Sequence, residues 1–149
     1  MKLRVYLDTS IFSAYYDDRL PERQSITKEF WERMSDFEVS TSEIARQELS
    51  QTYDESLRIN LLSLQDDFII HPVNDDIIDL ANHYISAEVF SSVMFNDALH
   101  VAVAVITRQD ILLSWNFKHL VNRRRRLQIN QINAVLELPM IEIMAPPEL

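Results

Sequence analysis

Short apolar runs of β-favouring residues alternate along this chain with segments of helical period, and that alternation narrows the possible folds more than any other feature. Leu3 to Leu7 is the first such run, ended by Asp8-Thr9-Ser10. Phe37 to Ser40, Phe68 to Val73, Ile111 to Ser114 and Met140 to Met144 are the others. A helix is predicted over Pro21 to Ser35, where Pro21 suits a first turn. Ser40-x-x-Glu43 has the form of a capping box and predicts a second helix running through about Leu62. Further helices are predicted from Asn74, a suitable cap, to Ala87, over Ser91 to Thr107 and over Arg123 to Leu136. Strands separated by helices call for parallel crossovers, so the expected fold class is α/β: a three-layer α/β/α sandwich with a central, mostly parallel sheet. With 149 residues and no repeat, linker or low-complexity stretch, one domain spanning 1–149 is expected.

What the chain lacks removes several chemistries. It has no glycine, so neither a G-x-G-x-x-G fingerprint nor a Walker A loop can exist. It has no cysteine, which excludes disulfides, thiolate zinc sites and a cysteine nucleophile. The histidines, His71, His83, His100 and His119, lack zinc-motif spacing and read as structural, although His100 lies one helical turn from Asp97. A carboxylate at position 8 interrupts any signal peptide, and the apolar run Val101 to Ile106 is too short to span a bilayer, so a cytoplasmic protein without a membrane partner is expected. The formal net charge of −9 counts against a broad phosphate-binding surface, unless the acids gather at a site where a cation reverses the local sign.

Ligands of open α/β sheets bind beyond the carboxyl ends of the strands. Asp8 follows the first strand without an interval, and it reads either as a site carboxylate or as the cap of a following helix. Asp97 shares a helix face with Val101 and Val105 at the start of a buried helix, where it is either functional or a favourable first-turn acid. Glu48, four residues after Ile44, lies on or beside an apolar face, either at a site or paired with a neighbouring arginine. Asn116 follows the fourth strand and can orient water, ligate a hard cation weakly or cap Phe117-Lys118-His119-Leu120. Three carboxylates brought together repel unless a cation neutralises them, and Mg²⁺ or Mn²⁺ suits such oxygen donors. The one basic run, Arg123-Arg124-Arg125-Arg126, advances about 100° per residue on a helix and so cannot face one groove as a block. The run reads either as solvated or acid-paired throughout or as supplying one or two arginines, Arg123 and Arg124 first, that flank the site and hold phosphates.

Four segments, Leu7-Asp8-Thr9-Ser10, Glu48-Leu49, Asn96-Asp97-Ala98-Leu99-His100-Val101-Ala102 and Leu113-Ser114-Trp115-Asn116-Phe117, resemble the four motifs of PIN domains in order and spacing. The resemblance covers residues 3 to about 144, and its first and third motifs are the more specific. It implies an α/β sandwich and a Mg²⁺- or Mn²⁺-dependent endoribonuclease, with Asp8, Glu48 and Asp97 matching the metal-binding acids. Ser114 would match the small hydroxyl residue before the fourth acid, and Ser10 in the first motif would lie beside the substrate. Similarity to VapC-type toxins implies an RNA substrate, a small inhibitory antitoxin protein and a homodimer. The departure is Asn116, where the family commonly has Asp; a lost carboxylate weakens a second metal position. Two other classes follow from the same residues. A degenerate, non-catalytic PIN-like domain that binds RNA or protein is favoured by Asn116 and opposed by the retention of Asp8, Glu48 and Asp97. A haloacid-dehalogenase-type phosphatase would use Asp8 as nucleophile, but it wants a second acid where Ser10 stands and a glycine-containing motif that cannot exist here.

Overall fold

A computed structural model describes residues 1–149. Five strands form one sheet: β1 (Arg4–Leu7), β2 (Glu38–Ser42), β3 (Ile69–His71), β4 (Ile111–Leu113) and β5 (Glu142–Met144). Their order is β3-β2-β1-β4-β5, and every pair is parallel. The helices are α1 (Thr9–Tyr15), α2 (Pro21–Glu32), α3 (Glu43–Leu49), α4 (Glu55–Ser63), α5 (Asp75–Ser86), α6 (Phe95–Ile106) and α7 (Arg123–Val135). The α/β sandwich is therefore as expected, and its sheet is parallel throughout.

The inner strands carry no polar alternation because both of their faces are covered. Val5, Tyr6 and Leu7 of β1 are fully buried and lie in register with Ile111, Leu112 and Leu113 of β4. Tyr6 meets His100 of α6, so α6 covers that face of the sheet. The edge strands β3 and β5 are three residues each, which limits the unpaired backbone they expose. From β1 the chain winds outward to β2 and β3, then returns across the sheet to β4 and β5. The winding direction thus reverses between β1 and β4, and a crevice opens beyond their carboxyl ends.

Local signals misplace several boundaries. Ser40 belongs to β2 and its hydroxyl has no partner, so the expected Ser40–Glu43 capping box does not form. Pairing with β1 and β3 extends β2 to Ser42, whose hydroxyl accepts from the Ile44 amide and caps α3. Glu43 instead accepts from the Val73 amide at 3.2 Å. The long helix expected from there is two helices, with Asp54 capping the second through the Leu57 amide. Helix α1 follows Asp8 at once and was not expected as a helix. The helix expected from Ser91 begins at Phe95, after a 3₁₀ turn over Ser92–Met94. Asn74 does cap α5, accepting from the Ile77 amide, and Pro21 opens α2.

The absence of glycine shows in how the helices end. Glu88, Arg108 and Glu137 take left-handed φ values of 61°, 58° and 58° just past α5, α6 and α7. Each allows the next amide to reach back to a helix carbonyl: Val89 to Tyr84, Gln109 to Ala104 and Leu138 to Asn133, at 3.0, 2.9 and 2.8 Å. This is the Schellman geometry that glycine normally serves. A Cβ in this region costs about 1–2 kcal/mol, of which the added unfolded-state freedom of glycine gives back about 0.4–1. Glu137→Gly is therefore expected to raise the unfolding free energy by up to about 1 kcal/mol in urea denaturation. A loss of stability in this variant would show that the Glu137 conformation carries no strain.

Candidate active site

Asp8 lies at the crevice where the winding reverses. Its amide donates to the Leu113 carbonyl at 3.2 Å, continuing the β1–β4 pairing by one residue. Its side chain is 4% exposed. Oδ1 accepts from the Ser10 amide at 3.0 Å and the Ser10 hydroxyl at 2.5 Å, while Oδ2 accepts from the Ser114 hydroxyl at 2.5 Å. The two serines are fixed in turn, since Ser10 Oγ accepts from the Trp115 amide and Ser114 Oγ from the Asn116 amide. Asp8 thus caps α1 and faces the crevice at once; the two readings of this residue are compatible. Burial raises the Asp8 pKa above the ordinary carboxylate value, and the charge of Asp97 adds to the rise. The charge of His100 and the serine hydrogen bonds oppose it.

Asp97 stands in the first turn of α6, half-buried. Its Oδ2 is 2.9 Å from Nδ1 of His119. The amide of His119 donates to Asn116 Oδ1 at 2.9 Å, so Asn116 caps its own turn and holds His119 against Asp97. Asp8 and Asp97 are electrostatic neighbours, although 89 positions separate them in the sequence.

Glu48 comes from α3 and meets α6. Its Oε1 lies 2.7 Å from His100 Nε2 and accepts from the Thr9 hydroxyl at 2.7 Å. His100 is 3% exposed, and its Nδ1 is 2.6 Å from the Tyr6 hydroxyl, which shares a 2.7 Å hydrogen bond with Ser42. Burial alone would lower the imidazole pKa, but the bond to Glu48 and the charges of Asp8, Glu48 and Asp97 hold it above the ordinary value. Burial likewise pushes Glu48 up, yet its bonds to His100 and Thr9 and the imidazolium charge keep it below the usual carboxylate value. Glu48 is thus paired with the buried His100, not with an arginine as considered from the sequence.

The four arginines radiate from α7 as the helical period requires. Arg123 and Arg124 are exposed. Arg125 stacks on Phe90, 4.6 Å from the ring centre, and its buried Nη1 has no hydrogen-bond partner. Asp97 acts on the charge of Arg125. Arg126 donates to the Ile143 carbonyl at 3.0 Å. Arg124, Arg125 and Lys118 line a pocket of about 370 Å³. Of the four, Arg125 is thus the one tied electrostatically to the acids, with Arg124 beside it.

Asp8, Ser10 and Ser114 are hydrogen-bonded together and Asp97 acts on Asp8 through its charge, while Glu48 is bonded to His100 and Asn116 holds His119 against Asp97. His119, Thr9, Tyr6 and Arg125 are neighbours that sequence reasoning did not single out. Thr9 and Tyr6 flank Asp8, and His119 follows Asn116 by three, but only their partners reveal them. No three acidic or histidine side chains close on one point at ligating distance. The donor chemistry of Asp8 and Asp97 nevertheless fits a hard dication, because both offer only oxygen and each disfavours the other's charge. The charge of Glu48 is already balanced by His100.

A family profile described as PIN domain matches residues 5–120. No curated protein sequence matches the chain. Among solved structures, the chain resembles VapBC-1 from nontypeable Haemophilus influenzae, with TM-score 0.61 and 15% identity over 97% of this chain and 99% of that one. It also resembles VapC20 of Mycobacterium tuberculosis, described as a sarcin-ricin loop cleaving toxin, with TM-score 0.60 and 18% identity over 77% and 92%. A third is VapBC-5 of Mycobacterium tuberculosis, described as a member of the VapBC family of toxin-antitoxin systems, with TM-score 0.54 and 19% identity over 95% and 98%. At these identities the likeness is one of fold.

Tyr6→Phe tests the buried link at His100. The variant leaves the buried Nδ1 of His100 without its hydrogen-bond partner, and a loss of about 1–3 kcal/mol in unfolding free energy is expected. Unchanged stability would mean that the Tyr6 hydroxyl does not hold the imidazole.

Proposed function

Because the chain belongs to the PIN domain family, we propose that it is a Mg²⁺- or Mn²⁺-dependent endoribonuclease and the toxin of a toxin–antitoxin pair. The observation that carries this reading is the nearly buried carboxyl of Asp8, raised in pKa and facing the charge of Asp97 at the β1–β4 crevice. A carboxylate in such a place is costly unless a cation shares it.

Asp8 and Asp97 would hold the cation, with Glu48 as the third acid beside them. Bound there, a dication supplies Lewis acidity that eases deprotonation of a water and offsets charge on the phosphoryl oxygens. The protein's own groups orient and balance. Ser10 and Ser114 fix both oxygens of Asp8, and His119 fixes Oδ2 of Asp97. Lys118 and Arg124 offer donors to RNA phosphates, and Arg125 beside them adds its charge. Arg123, exposed one position earlier on the helix, would reach only a longer stretch of the strand. Positive charge gathered here accommodates a phosphate chain despite the net charge of −9.

The toxin reading is supported by the fold shared with VapBC-5 and VapC20, which carry that description. It brings a small antitoxin protein as partner, a homodimer and a cytoplasmic setting as parts of the proposal. No helix is long and apolar enough to cross a membrane. A second reading, a non-catalytic domain that binds RNA or protein, draws on Asn116 capping its own turn and on Glu48 being engaged by His100.

The two readings separate in one assay. Purified protein is expected to cleave RNA with Mn²⁺ or Mg²⁺ and to stop when EDTA removes the metal. Asp8→Asn and Asp97→Asn are each expected to abolish cleavage, and persistence in both would mean that the acids do not form the site. Wild-type protein that binds RNA and never cuts it favours the non-catalytic reading. His119→Ala leaves Asp97 in place but unoriented, and a loss of about 10–100-fold in kcat/KM is expected.

A further inference from the structure

A second pocket opens beside Asp8, and neither the fold nor the metal chemistry requires it. It has a volume of about 310 Å³ and is lined by Ser10, Asp17, Leu20, Arg23, Trp115 and Asn116, among others. Ser10 is the residue bonded to Asp8, so the pocket begins where the acidic site ends.

Arg23 is its unusual member. On α2 it precedes Thr27 and Phe30 by four and seven residues, so it shares the inward face of the helix, and both of those residues are fully buried. A cation on that face would ordinarily be matched by an acid. None of the ion pairs in the protein includes Arg23. Instead its guanidinium caps two aromatic rings, 5.3 Å from the centre of Trp115 and 5.3 Å from that of Phe117. The rings meet edge to face, 6.2 Å apart at 62°. Trp115 is anchored because its indole N–H donates to Thr27 Oγ1 at 2.9 Å. Phe117 is 46% exposed, so its ring is open to solvent beside the crevice.

Trp115 is 7% exposed, so the accessible surfaces are the Arg23 guanidinium and the exposed Phe117 ring that it backs, and an unpaired nucleobase stacks on surfaces of this kind. Asp17 in the wall is already paired with Arg19 through both of its oxygens, which leaves Arg23 on its rings as the unmatched charge of the pocket. The pocket of Lys118, Arg124 and Arg125 sets three cations against one acid, Glu88, and suits the backbone.

We propose that Arg23 and Phe117, backed by the buried Trp115, form a base-stacking subsite for the nucleotide flanking the cleaved phosphate of single-stranded RNA, and so contribute to the choice of cleavage site. The proposal rests on the nuclease reading above. Arg23 and Phe117 make no side-chain hydrogen bond to Asp8, Asp97 or the two serines, and Trp115 reaches Ser10 only through its backbone amide, so the two tested side chains lie outside the metal site.

The test uses full-length protein and an RNA on which the wild-type cleavage position has been mapped. Phe117→Ala removes an exposed ring, so the core is untouched. Arg23→Lys keeps the charge and removes the stacking plane. Each is expected to lower kcat/KM about ten-fold or more, mainly through KM. RNAs with an abasic nucleotide immediately before or immediately after the cleaved bond supply the decisive comparison. On one of these, wild type, Phe117→Ala and Arg23→Lys are expected to perform alike, because no base remains to stack. Variants that cleave intact RNA as well as wild type overturn the subsite and leave the nuclease reading standing. So does a variant defect of equal size on intact RNA and on both abasic RNAs. Wild-type protein that cleaves no RNA overturns the nuclease reading and the subsite with it.

Discussion

The carboxyl group of Asp8 is the point on which the structure turns. Its amide extends the β1–β4 pairing, its Oδ1 caps α1, and its Oδ2 takes the Ser114 hydroxyl from the end of β4. The central strand, the first helix and the returning half of the sheet therefore share one side chain. Charge-assisted hydrogen bonds of this kind are stronger than neutral ones, and they partly offset the burial of an acid. What they do not remove is the repulsion from Asp97, which adds to the elevation of the Asp8 pKa. The same residue is thus a structural junction and the group most in need of a positive neighbour.

The remaining acids are handled differently. Glu48 is matched inside the protein by His100, whose other nitrogen is closed off by Tyr6 and Ser42. Asp97 faces His119 and feels Arg125. One acid is balanced from within, one is oriented by a half-exposed histidine, and Asp8 is held by hydroxyls that carry no charge. This gradient marks the Asp8–Asp97 edge, rather than Glu48, as the place where an external cation gains most. Two surfaces of unlike character lie near these acids: basic side chains at α7 and the turn before it, and the rings of Trp115 and Phe117 capped by Arg23 next to the pocket that Ser10 lines.

A chain without glycine must still turn its helices back onto a sheet. It does so with Glu88, Arg108 and Glu137 in the left-handed region, at polar, exposed positions where the side chain has room. This choice was invisible in the residue pattern, since Glu and Arg carry no signal for a helix end. The break between α3 and α4 was equally hidden, because Gln51 to Tyr53 has the composition of a helix surface and Asp54 becomes a cap only when the chain bends there.

By itself the sequence determined the layer order and the location of the chemistry. Buried parallel strands must be continuous apolar runs, and a strand that ends in Asp8-Thr9-Ser10 places a carboxylate at the rim of the sheet whatever surrounds it. Asp97 at the head of an apolar helix was legible for the same reason: a local pattern fixes a local position. The tertiary structure alone decided the partners. Ser114 reaches Asp8 across 106 residues, Glu48 reaches His100 across 52, and Asp97 reaches His119 across 22. Charge balance and pKa depend on distances of a few ångströms, and those distances are set by strand order and crossover, which no local pattern encodes. Whether an acid is free, paired or facing another acid was therefore settled only when the sheet closed β1 against β4.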